Sequence, residues 1–412
     1  MSKTFKKTIY EILEREPVHP FPARMAPGIA LDILASEPEP IRVLDPMMGS
    51  GTVLAVARAR GHTAFGIDID PLAVLLARVW TTSVDVAGVE RKARDVLERA
   101  EARLSNCKLA DAYPRWADLE TRSFVRYWFD GHTRRQLTCL ATAIRSVRDA
   151  RIRDTLWCAF SRLIITKQAG ASLAMDLSHS RPHKAFSRAP IDPFDKFPSA
   201  VKQVLKNCIG RDQRDRGPAA KAKLGDARKL PLQDGTIDLV LTSPPYLNAI
   251  DYMRCSKFSL VWMGYSVNEL SGIRGDSVGA ESGDKGARED EDIGKIITSL
   301  RLSPKLSSRH EAVLAHYIDD MRQAVMEAAR VLSPRGRAVY VVGENTVRGT
   351  FIPNAKIVSA VAEMSGLKTE GRRARHLPAN RRYLPPPTSQ NAPDALGARM
   401  RREVILSFSK VA

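Results

Sequence analysis

Short apolar segments alternate with glycine- and proline-containing turns at both ends of the 412-residue chain. Residues 41–45 read "IRVLD" and residues 63–70 read "TAFGIDID"; each is too short for an ordinary helix and ends in aspartate. Longer apolar runs follow them: "VLAVARARG", which ends at Gly61, and "PLAVLLARVW", which begins at Pro71. Terminal glycine and first-turn proline are typical helix boundaries. The order strand, turn, helix, strand predicts a doubly wound, mostly parallel α/β sheet.

The same alternation resumes near residue 224. "TIDLVLT" predicts a buried strand directly before Ser243, and "YIDDMRQAVMEAARVLSPRG" predicts an amphipathic helix that ends at Pro334 and Gly336. "RAVYVVG" and "REVILSF" predict two further strands. Residues 275–295 are polar and rich in glycine, which predicts a mobile loop.

Residues 81–220 interrupt this pattern with arginine-rich segments that read as mostly helical. They contain 26 Lys+Arg and 16 Asp+Glu, so they supply 10 of the 18 formal net positive charges. We therefore divide the chain into residues 1–80 and 221–412, the two parts of one α/β domain, and a basic helical insertion at 81–220. The charge favours a polyanionic partner, nucleic acid before a membrane surface, over a merely basic enzyme. The aromatic cluster "FVRYWF" at 124–129 favours a DNA-recognition role for the insertion over a structural helical cap.

The five cysteines are scattered and form no C-x-x-C pair, which argues against a metal site and against a disulfide framework. We expect them to be buried thiols. The start "MSKTFKKTIYEILERE" lacks the apolar core of a secretory signal, and no run of 18 apolar residues occurs. These features predict a cytoplasmic protein, associated with the nucleoid if its partner is DNA.

Two glycines follow the first predicted strand in "VLDPMMGSGT", at Gly49 and Gly51. Such a turn brings bare N–H groups close to a ligand, although it can also serve only to reverse the chain. A dinucleotide loop would need G-x-G-x-x-G. Asp68 can accept both hydroxyls of a ribose and Asp70 can cap the next helix; ordinary strand-end carboxylates are the alternative. Because a sulfonium cofactor has no pyrophosphate, we favour S-adenosylmethionine.

The second predicted strand of interest runs into Ser243, Pro244, Pro245 and Tyr246. Consecutive prolines make a rigid backbone without N–H donors. The amino group of a nucleobase is a poor nucleophile, and acceptors aimed at its protons favour the form that attacks. Ser243 Oγ and the Pro244 carbonyl can be those acceptors, while Tyr246 stacks on a flipped base. A strand-ending turn with a buried tyrosine is the alternative.

With these motifs the chain resembles the S-adenosylmethionine-dependent amino-methyltransferases of DNA that carry a D/N/S-P-P-Y motif, over roughly residues 17–80 and 222–410. The resemblance implies a Rossmann-like methyltransferase fold, with "TSPPY" as the catalytic motif. It implies that Phe21 and Pro22 lie near the methionine moiety of the cofactor, Asp68 on its ribose and Asp226 near its adenine. The full set of implied cofactor-binding residues is Phe21, Pro22, Asp45, Pro46, Gly49, Ser50, Gly51, Thr52, Asp68 and Asp226.

Serine at position 243 and the continuation "LNAIDYMR" look most like the N4-cytosine enzymes, whereas N6-adenine enzymes more often carry Asp or Asn there. The resemblance also implies double-stranded DNA as a partner. It makes a cognate restriction endonuclease a second candidate partner. The insertion lies between the Asp68 and Asp226 strands, where the family's target-recognition domain is not expected. Four residues after the motif either line the pocket mouth or belong to the next helix and surface: Asn248, Asp251, Tyr252 and Arg254.

Three other classes fit the sequence less well. RNA guanine-N2 methyltransferases usually carry Asp before the two prolines and a separate N-terminal RNA-binding domain, and few residues precede the first cofactor motif here. A non-catalytic DNA-binding subunit would show decay of the glycine turn or of S-P-P-Y, and both are intact. A nicotinamide-dependent oxidoreductase would need the longer glycine motif.

Overall fold

The computed structural model describes residues 7–21, 25–175, 177, 182–210, 218, 220–247, 252–280, 290–303, 305–347, 349–376 and 402–411. Helices in these residues are α1 (Ile9–Leu13), α2 (Pro27–Leu34), α3 (Thr52–Ala59), α4 (Pro71–Thr81), α5 (Val86–Leu104), α6 (Leu119–Trp128), α7 (Gly131–Arg145), α8 (Ala150–Ile164), α9 (Pro193–Asn207), α10 (Met253–Met263), α11 (Val267–Gly275), α12 (Glu291–Leu300), α13 (Ser308–Val331) and α14 (Asn354–Met364). Strands are β1 (Arg42–Asp45), β2 (Thr63–Asp68), β3 (Ser83–Val84), β4 (Ile209–Gly210), β5 (Ala220–Leu224), β6 (Ile237–Thr242), β7 (Leu332–Gly343), β8 (Asn345–Val347), β9 (Thr350–Ile352), β10 (Leu367–His376) and β11 (Arg402–Lys410).

The main sheet of the described residues has the strand order β10-β11-β7-β6-β1-β2-β5. Strands β7, β6, β1, β2 and β5 are parallel neighbours, and β11 pairs antiparallel with both β7 and β10. The sheet is buried on both faces: Val43 and Leu239 belong to one apolar cluster, and their chain neighbours Leu44 and Val240 belong to the other. Since successive strand residues point to opposite faces, helices must cover both. The expected doubly wound, mostly parallel α/β fold is confirmed.

The insertion is mainly helical, as predicted, and it extends the core on one face of the sheet. Its helix α8 packs against α4 and α10 of the α/β domain. The rings of Phe124 and Trp128 meet Phe258 of α10 edge-on, with centroid distances of 5.2 and 5.0 Å, and Phe129 is buried. Tyr127 is exposed. Most of the aromatic cluster at 124–129 therefore has the structural role that the sequence left open as the alternative.

One helix boundary differs from the sequence prediction. Helix α13 already ends at Val331, and β7 begins at the next residue. Pro334 and Gly336 therefore lie within β7 and do not terminate the helix. The register between β6 and β7 shifts between the pairs at Ile237 and Leu239, where one residue of β6 lies opposite four residues of β7. A bulge tolerates proline because the bulged residue owes no N–H to the ladder. The two breakers thus mark a bulge and not a helix end.

The predicted mobile loop at 275–295 is wrong in its last part, because Glu291–Leu300 form helix α12. The side chain of Asp290 caps this helix, and Ile293, Ile296 and Leu300 are buried on one side of it. The acidic residues before Ile293 made the segment read as a polar loop, although its three apolar residues follow the spacing of an amphipathic helix. Residues 281–289 lie outside the described residues.

The five cysteines are all buried thiols, as expected. Burial raises the pKa of the Cys139 thiol to about 12, so it behaves as a small apolar side chain and not as a nucleophile. None of the helices in the described ranges is both long and apolar enough to cross a bilayer.

Candidate active site

The two sequence motifs meet at one end of the sheet. Strands β6, β1 and β2 are adjacent and parallel, and they end at Thr242, Asp45 and Asp68. Parallel neighbours present their carboxyl ends at the same edge, where ligands bind in open α/β sheets. We call this the carboxyl edge. It brings together the glycine turn after β1 and the S-P-P-Y segment after β6. The strand-end residues Asp45 and Thr242, which are 197 positions apart in the chain, are joined there by a hydrogen bond.

The glycine turn after β1 requires both of its glycines. Gly49 and Gly51 have φ values of 51° and 85°, in the left-handed region that favours glycine. The Gly51 N–H donates to the Met48 carbonyl at 2.9 Å and closes the turn. A Cβ on Gly51 would lie 2.8 Å from the Cβ of Ala77 in α4. The turn is therefore tight, and helix α3 begins directly after it at Thr52.

Four other predicted cofactor residues are placed by this turn and by the segment before α2. Pro46, Ser50 and Thr52 are buried around the turn, and Phe21 is buried with its ring centroid 6.1 Å from that of Tyr252. Because Tyr252 lies just before α10, the segment of Phe21 reaches the chain that follows S-P-P-Y. Pro22 and two of the predicted pocket-mouth residues, Asn248 and Asp251, lie outside the described residues.

Asp68, the predicted ribose ligand, holds the backbone of the glycine turn through hydrogen bonds. Its Oδ2 accepts from the Gly49 N–H at 2.8 Å and its Oδ1 accepts from the Asp70 N–H at 2.9 Å. Burial raises the pKa of Asp68, and these backbone hydrogen bonds oppose the rise. Each carboxylate oxygen has a second lone pair, so this scaffolding leaves acceptors for a ligand.

Asp45 joins the two motifs. Its Oδ1 accepts from Thr242 Oγ1 at 2.7 Å and from the Met47 N–H at 3.2 Å. Burial raises the pKa of Asp45 to about 7, and the charge of Asp68 adds to the rise. Sequence reasoning assigned no role to Thr242. The only signal for it was a threonine placed directly before the S-P-P-Y motif.

Asp70 caps α4 as predicted: its Oδ1 accepts from the Leu72 N–H at 2.8 Å. Its other oxygen accepts from Ser256 Oγ of α10 at 2.6 Å. Burial raises the pKa of Asp70 to about 7, and the Ser256 hydrogen bond opposes the rise. This contact fixes α10, the helix after S-P-P-Y, to the part of the carboxyl edge at the end of β2. Sequence reasoning missed Ser256.

The Ser243 hydroxyl is arranged as an acceptor. Its proton is donated to the Val341 carbonyl of β7 at 2.9 Å. Burial raises the pKa of the Tyr246 phenol well above its usual value, and its interaction with Ser243 opposes the rise. Because the Ser243 proton is committed to Val341, the lone pairs of its oxygen are what it offers to an incoming N–H.

The prolines of the motif differ in what they contact. The Pro245 carbonyl accepts from the buried Tyr317 hydroxyl of α13 at 3.1 Å. The Pro244 carbonyl accepts no hydrogen bond from the described residues. The segment is also held at its end, where Asn345 Nδ2 donates to the Leu247 carbonyl at 2.5 Å. S-P-P-Y is therefore fixed from α13 and from the segment after β7, with one backbone acceptor left over.

Asp226, the predicted adenine neighbour, lies just after β5 and is bound by Arg228. Arg228 donates to Asp226 Oδ2 at 2.7 Å, to Asp320 Oδ1 of α13 at 2.5 Å and to the Asp276 carbonyl at 2.6 Å. These carboxylates raise the pKa of the guanidinium. Asp226 is at the carboxyl edge because the Gly225 N–H donates to the Asp68 carbonyl at 3.0 Å. Sequence reasoning missed Arg228 and Asp320.

No protein-family model matches the chain. It is similar to the Type II methyltransferase M.MvaI of Kocuria varians, with 24% identity over 372 residues, 83% of this chain and 79% of that protein. It is also similar to the Type II methyltransferase M.AvaI of Nostoc sp. strain PCC 7120, with 23% identity over 376 residues, 80% of this chain and 73% of that protein.

Among solved structures, the chain is similar to a candidate DNA modification methylase from Thermus thermophilus, complexed with S-adenosyl-L-methionine. The identity is 18%, the TM-score is 0.23, and the match covers 46% of this chain and 54% of that one.

Proposed function

We propose that this chain is an S-adenosylmethionine-dependent DNA methyltransferase that methylates the exocyclic amino group of a flipped base, N4 of cytosine. The observation that carries the proposal is the hydrogen bond between Asp45 and Thr242, which joins the glycine turn to the S-P-P-Y segment. A turn suited to a nucleoside cofactor and a set of neutral acceptors thereby share one edge of the sheet. The Type II methyltransferase relatives support the same activity.

The residues at the carboxyl edge fit S-adenosylmethionine. Gly49 and Gly51 expose backbone at the turn, and Asp68 and Asp226 offer carboxylates to hydroxyl and amino groups. Buried carboxyls also suit a cofactor that carries a positive sulfonium charge. The cofactor supplies an electrophilic methyl group. Phe21, which is buried beside Tyr252, would cover its methionine end.

The motif residues act on the amino group of the base. Ser243 Oγ, whose own proton is donated to Val341, accepts one amino proton, and the Pro244 carbonyl accepts the other. These bonds strengthen as the nitrogen gains sp3 character and positive charge, so they stabilise the transition state more than the ground state. Tyr246 stacks on the base and replaces stacking lost from the duplex. No strong general base is required, because the proton can leave after the methyl group has moved.

The proposed partner is double-stranded DNA, which the protein would meet at the nucleoid. The surplus of 10 positive charges in residues 81–220 supports contact with phosphates, while residues 1–80 and 221–412 supply the cofactor and catalytic residues. The Type II class of the relatives makes a cognate restriction endonuclease a candidate partner. The choice of cytosine N4 rests on serine at position 243 and on the resemblance of the following residues to N4-cytosine enzymes.

The test is mass spectrometry of nucleosides from the DNA of cells that express the protein. A Ser243→Ala/Tyr246→Ala double variant serves as the control. We expect N4-methylcytosine only with the intact protein. N6-methyladenine would overturn the choice of base and keep the mechanism, because the same two acceptors serve either amino group. Methyl label in RNA with none in DNA would overturn the DNA substrate.

A further inference from the structure

We propose that the helical insertion holds a binding site for a backbone phosphate of the DNA duplex, between α7, α8 and the end of α10. The inference rests on the proposed function and adds a second contact with the same substrate. A cavity of about 260 Å³ lies there, lined by Arg145, Arg153, Trp157 and Met263. It is separate from the carboxyl edge, and none of the sequence motifs described above includes its arginines.

Both arginines of this cavity are held in place by neighbouring groups. The guanidinium carbon of Arg145 lies 4.0 Å from the ring centroid of Trp116, and its Nη1 donates to the Met263 carbonyl at 3.4 Å. Arg153 Nη1 donates to the Val147 carbonyl at 3.0 Å. Each guanidinium has five N–H donors, so most of them stay available. A pre-positioned guanidinium loses less side-chain entropy when it binds an anion.

Positive charge accumulates at the cavity, whose described lining contains two arginines and no carboxylate. Among the described residues, neither Arg145 nor Arg153 forms an ion pair with a carboxylate. Burial lowers the pKa of Arg145, and the charges of Arg115 and Arg153 lower it further. Asp154 interacts with Arg153 and with Arg78, but it lines a different cavity. A bound anion would relieve this like-charge repulsion.

A phosphodiester of duplex DNA fits this position better than a small free anion. Arg145 is exposed, so the cavity opens to solvent and a large ligand can reach it. Helix α10 runs from Met253, next to Tyr252 at the active site, to Met263 at the cavity. Its eleven residues span about 16 Å at 1.5 Å per residue. That length corresponds to about five base pairs of duplex at 3.4 Å each. A duplex with its target base at S-P-P-Y can therefore extend to the cavity.

The experiment measures binding of the full chain to a fluorescent 30-base-pair duplex over a series of salt concentrations. The Arg145→Gln/Arg153→Gln variant should lower the slope of log K against log salt by about 1, and weaken binding roughly three- to tenfold at moderate salt, because each phosphate contact releases about one counterion. The matched control is Arg91→Gln/Arg99→Gln on α5. It removes the same charge from the same insertion at exposed positions, and its slope should match that of the wild type.

Each alternative outcome overturns a definite statement. Equal slopes for the wild type and the Arg145→Gln/Arg153→Gln variant, both binding DNA, would show that the cavity contacts no phosphate. Equal losses in that variant and its control would show a diffuse charge effect instead of a site. If millimolar inorganic phosphate displaced DNA from the wild type and left DNA binding by the variant unaffected, the cavity would be a site for a small free anion. A wild type that binds no DNA at all would instead refute the proposed function.

Discussion

The two sides of the carboxyl edge differ in electrostatic character: one carries carboxyl groups and the other carries neutral polar groups. The cofactor side, at the ends of β1 and β2, contains the carboxyls of Asp45, Asp68 and Asp70, and burial raises the pKa of each, to about 7 for Asp45 and Asp70. The motif side, Ser243–Tyr246, offers neutral groups: a hydroxyl, a backbone carbonyl and a phenol whose pKa is raised by burial. The two sides touch directly through Thr242 and Asp45.

This difference divides the proposed reaction between the sides. Carboxyls favour the positive charge of a sulfonium cofactor and accept hydrogen bonds from its hydroxyl groups. Neutral acceptors instead orient an amino group and strengthen their bonds as charge develops on its nitrogen, without binding a cation in the ground state. The comparison therefore assigns binding of the cofactor to one side and transition-state stabilisation to the other.

The largest effect that we expect concerns the charge of the cofactor side. Asp45→Asn keeps an oxygen for Thr242 and Met47 but removes the carboxyl, whose native pKa is about 7. Between its ordinary pKa of 3.8 and about 7 the folded protein binds this proton more tightly than the unfolded chain does. The stability that the wild type gains over the variant is thus present below about pH 4 and is lost as pH rises to 7. The loss should total about 4 kcal/mol, measured by urea unfolding at each pH.

Asp238→Asn is the matched control for this measurement, since its effect should have the opposite sign. A hydrogen bond from Arg42 holds the pKa of Asp238 below its usual range. Its stabilising effect is therefore present above the ordinary pKa of the carboxyl and lost as pH falls. If the difference between wild type and Asp45→Asn did not change from pH 4 to 7, the carboxyl would be ionised throughout. The cofactor side would then not be the strained side of the comparison.

A second prediction concerns the bridge between the two sides. Arg228 binds Asp226 beside β2 and the buried Asp320 of α13, and Tyr317 of the same helix holds the Pro245 carbonyl. Arg228→Met removes the guanidinium partner of Asp320, which is only 1% exposed, and leaves it with the His316 ring at 3.6 Å as its neighbour. Breaking such a pair should lower the free energy of unfolding by about 3 kcal/mol.

The control for the bridge is an exposed ion pair. Arg42→Met breaks the pair with Asp238, whose side chains are 48% and 31% exposed, and should cost less than about 1 kcal/mol. Adding Asp320→Asn to Arg228→Met should restore part of the lost stability, because it removes the unpaired buried charge. Losses of equal size at Arg228 and Arg42 would mean that the bridge is an ordinary surface contact and that the two sides are held independently.

Apolar runs in the sequence predicted the centre of the sheet, whereas its two edge strands show no such run. Strands β1, β2, β6, β7 and β11 were visible as apolar runs because both of their faces are covered. Strands β5 and β10, with sequences "AKAKL" and "LKTEGRRARH", are the outermost strands of the sheet and carry charges instead. Charged residues protect edge strands from pairing with other chains. The same property that protects these strands removes the apolar signal by which a strand is recognised.

The candidate site residues named from the sequence lie within short motifs, where glycine, proline and aspartate have local reasons to occur. Those that sequence reasoning missed act on partners far along the chain. Thr242 bonds a residue 197 positions away, and Ser256 one 186 positions away. The Tyr317 hydroxyl reaches a carbonyl 72 positions away, and Arg228 reaches Asp320 at a separation of 92. Serine, threonine, tyrosine and arginine occur throughout the chain, so only the folded arrangement of strands and helices distinguishes these four residues.

The smallest predicted effect tests the division of labour directly. Tyr246→Ala should lower turnover about 100-fold, close to the stacking energy of one base, and leave cofactor affinity unchanged. Asp68→Ala should weaken cofactor binding about tenfold, the energy of one hydrogen bond to a charged group. Isothermal titration with S-adenosylmethionine and single-turnover methylation separate the two quantities.

Tyr246→Phe extends that test, because it keeps the ring and removes the hydroxyl, whose pKa is influenced by Ser243. If Tyr246 acts by stacking, the phenylalanine variant should retain most of the turnover that alanine loses. If instead its hydroxyl positions Ser243, the two variants should be equally slow. An equal loss of cofactor affinity in Tyr246→Ala and Asp68→Ala would contradict the division altogether, since the edge would then form one binding surface whose neutral and carboxylate sides both hold the cofactor.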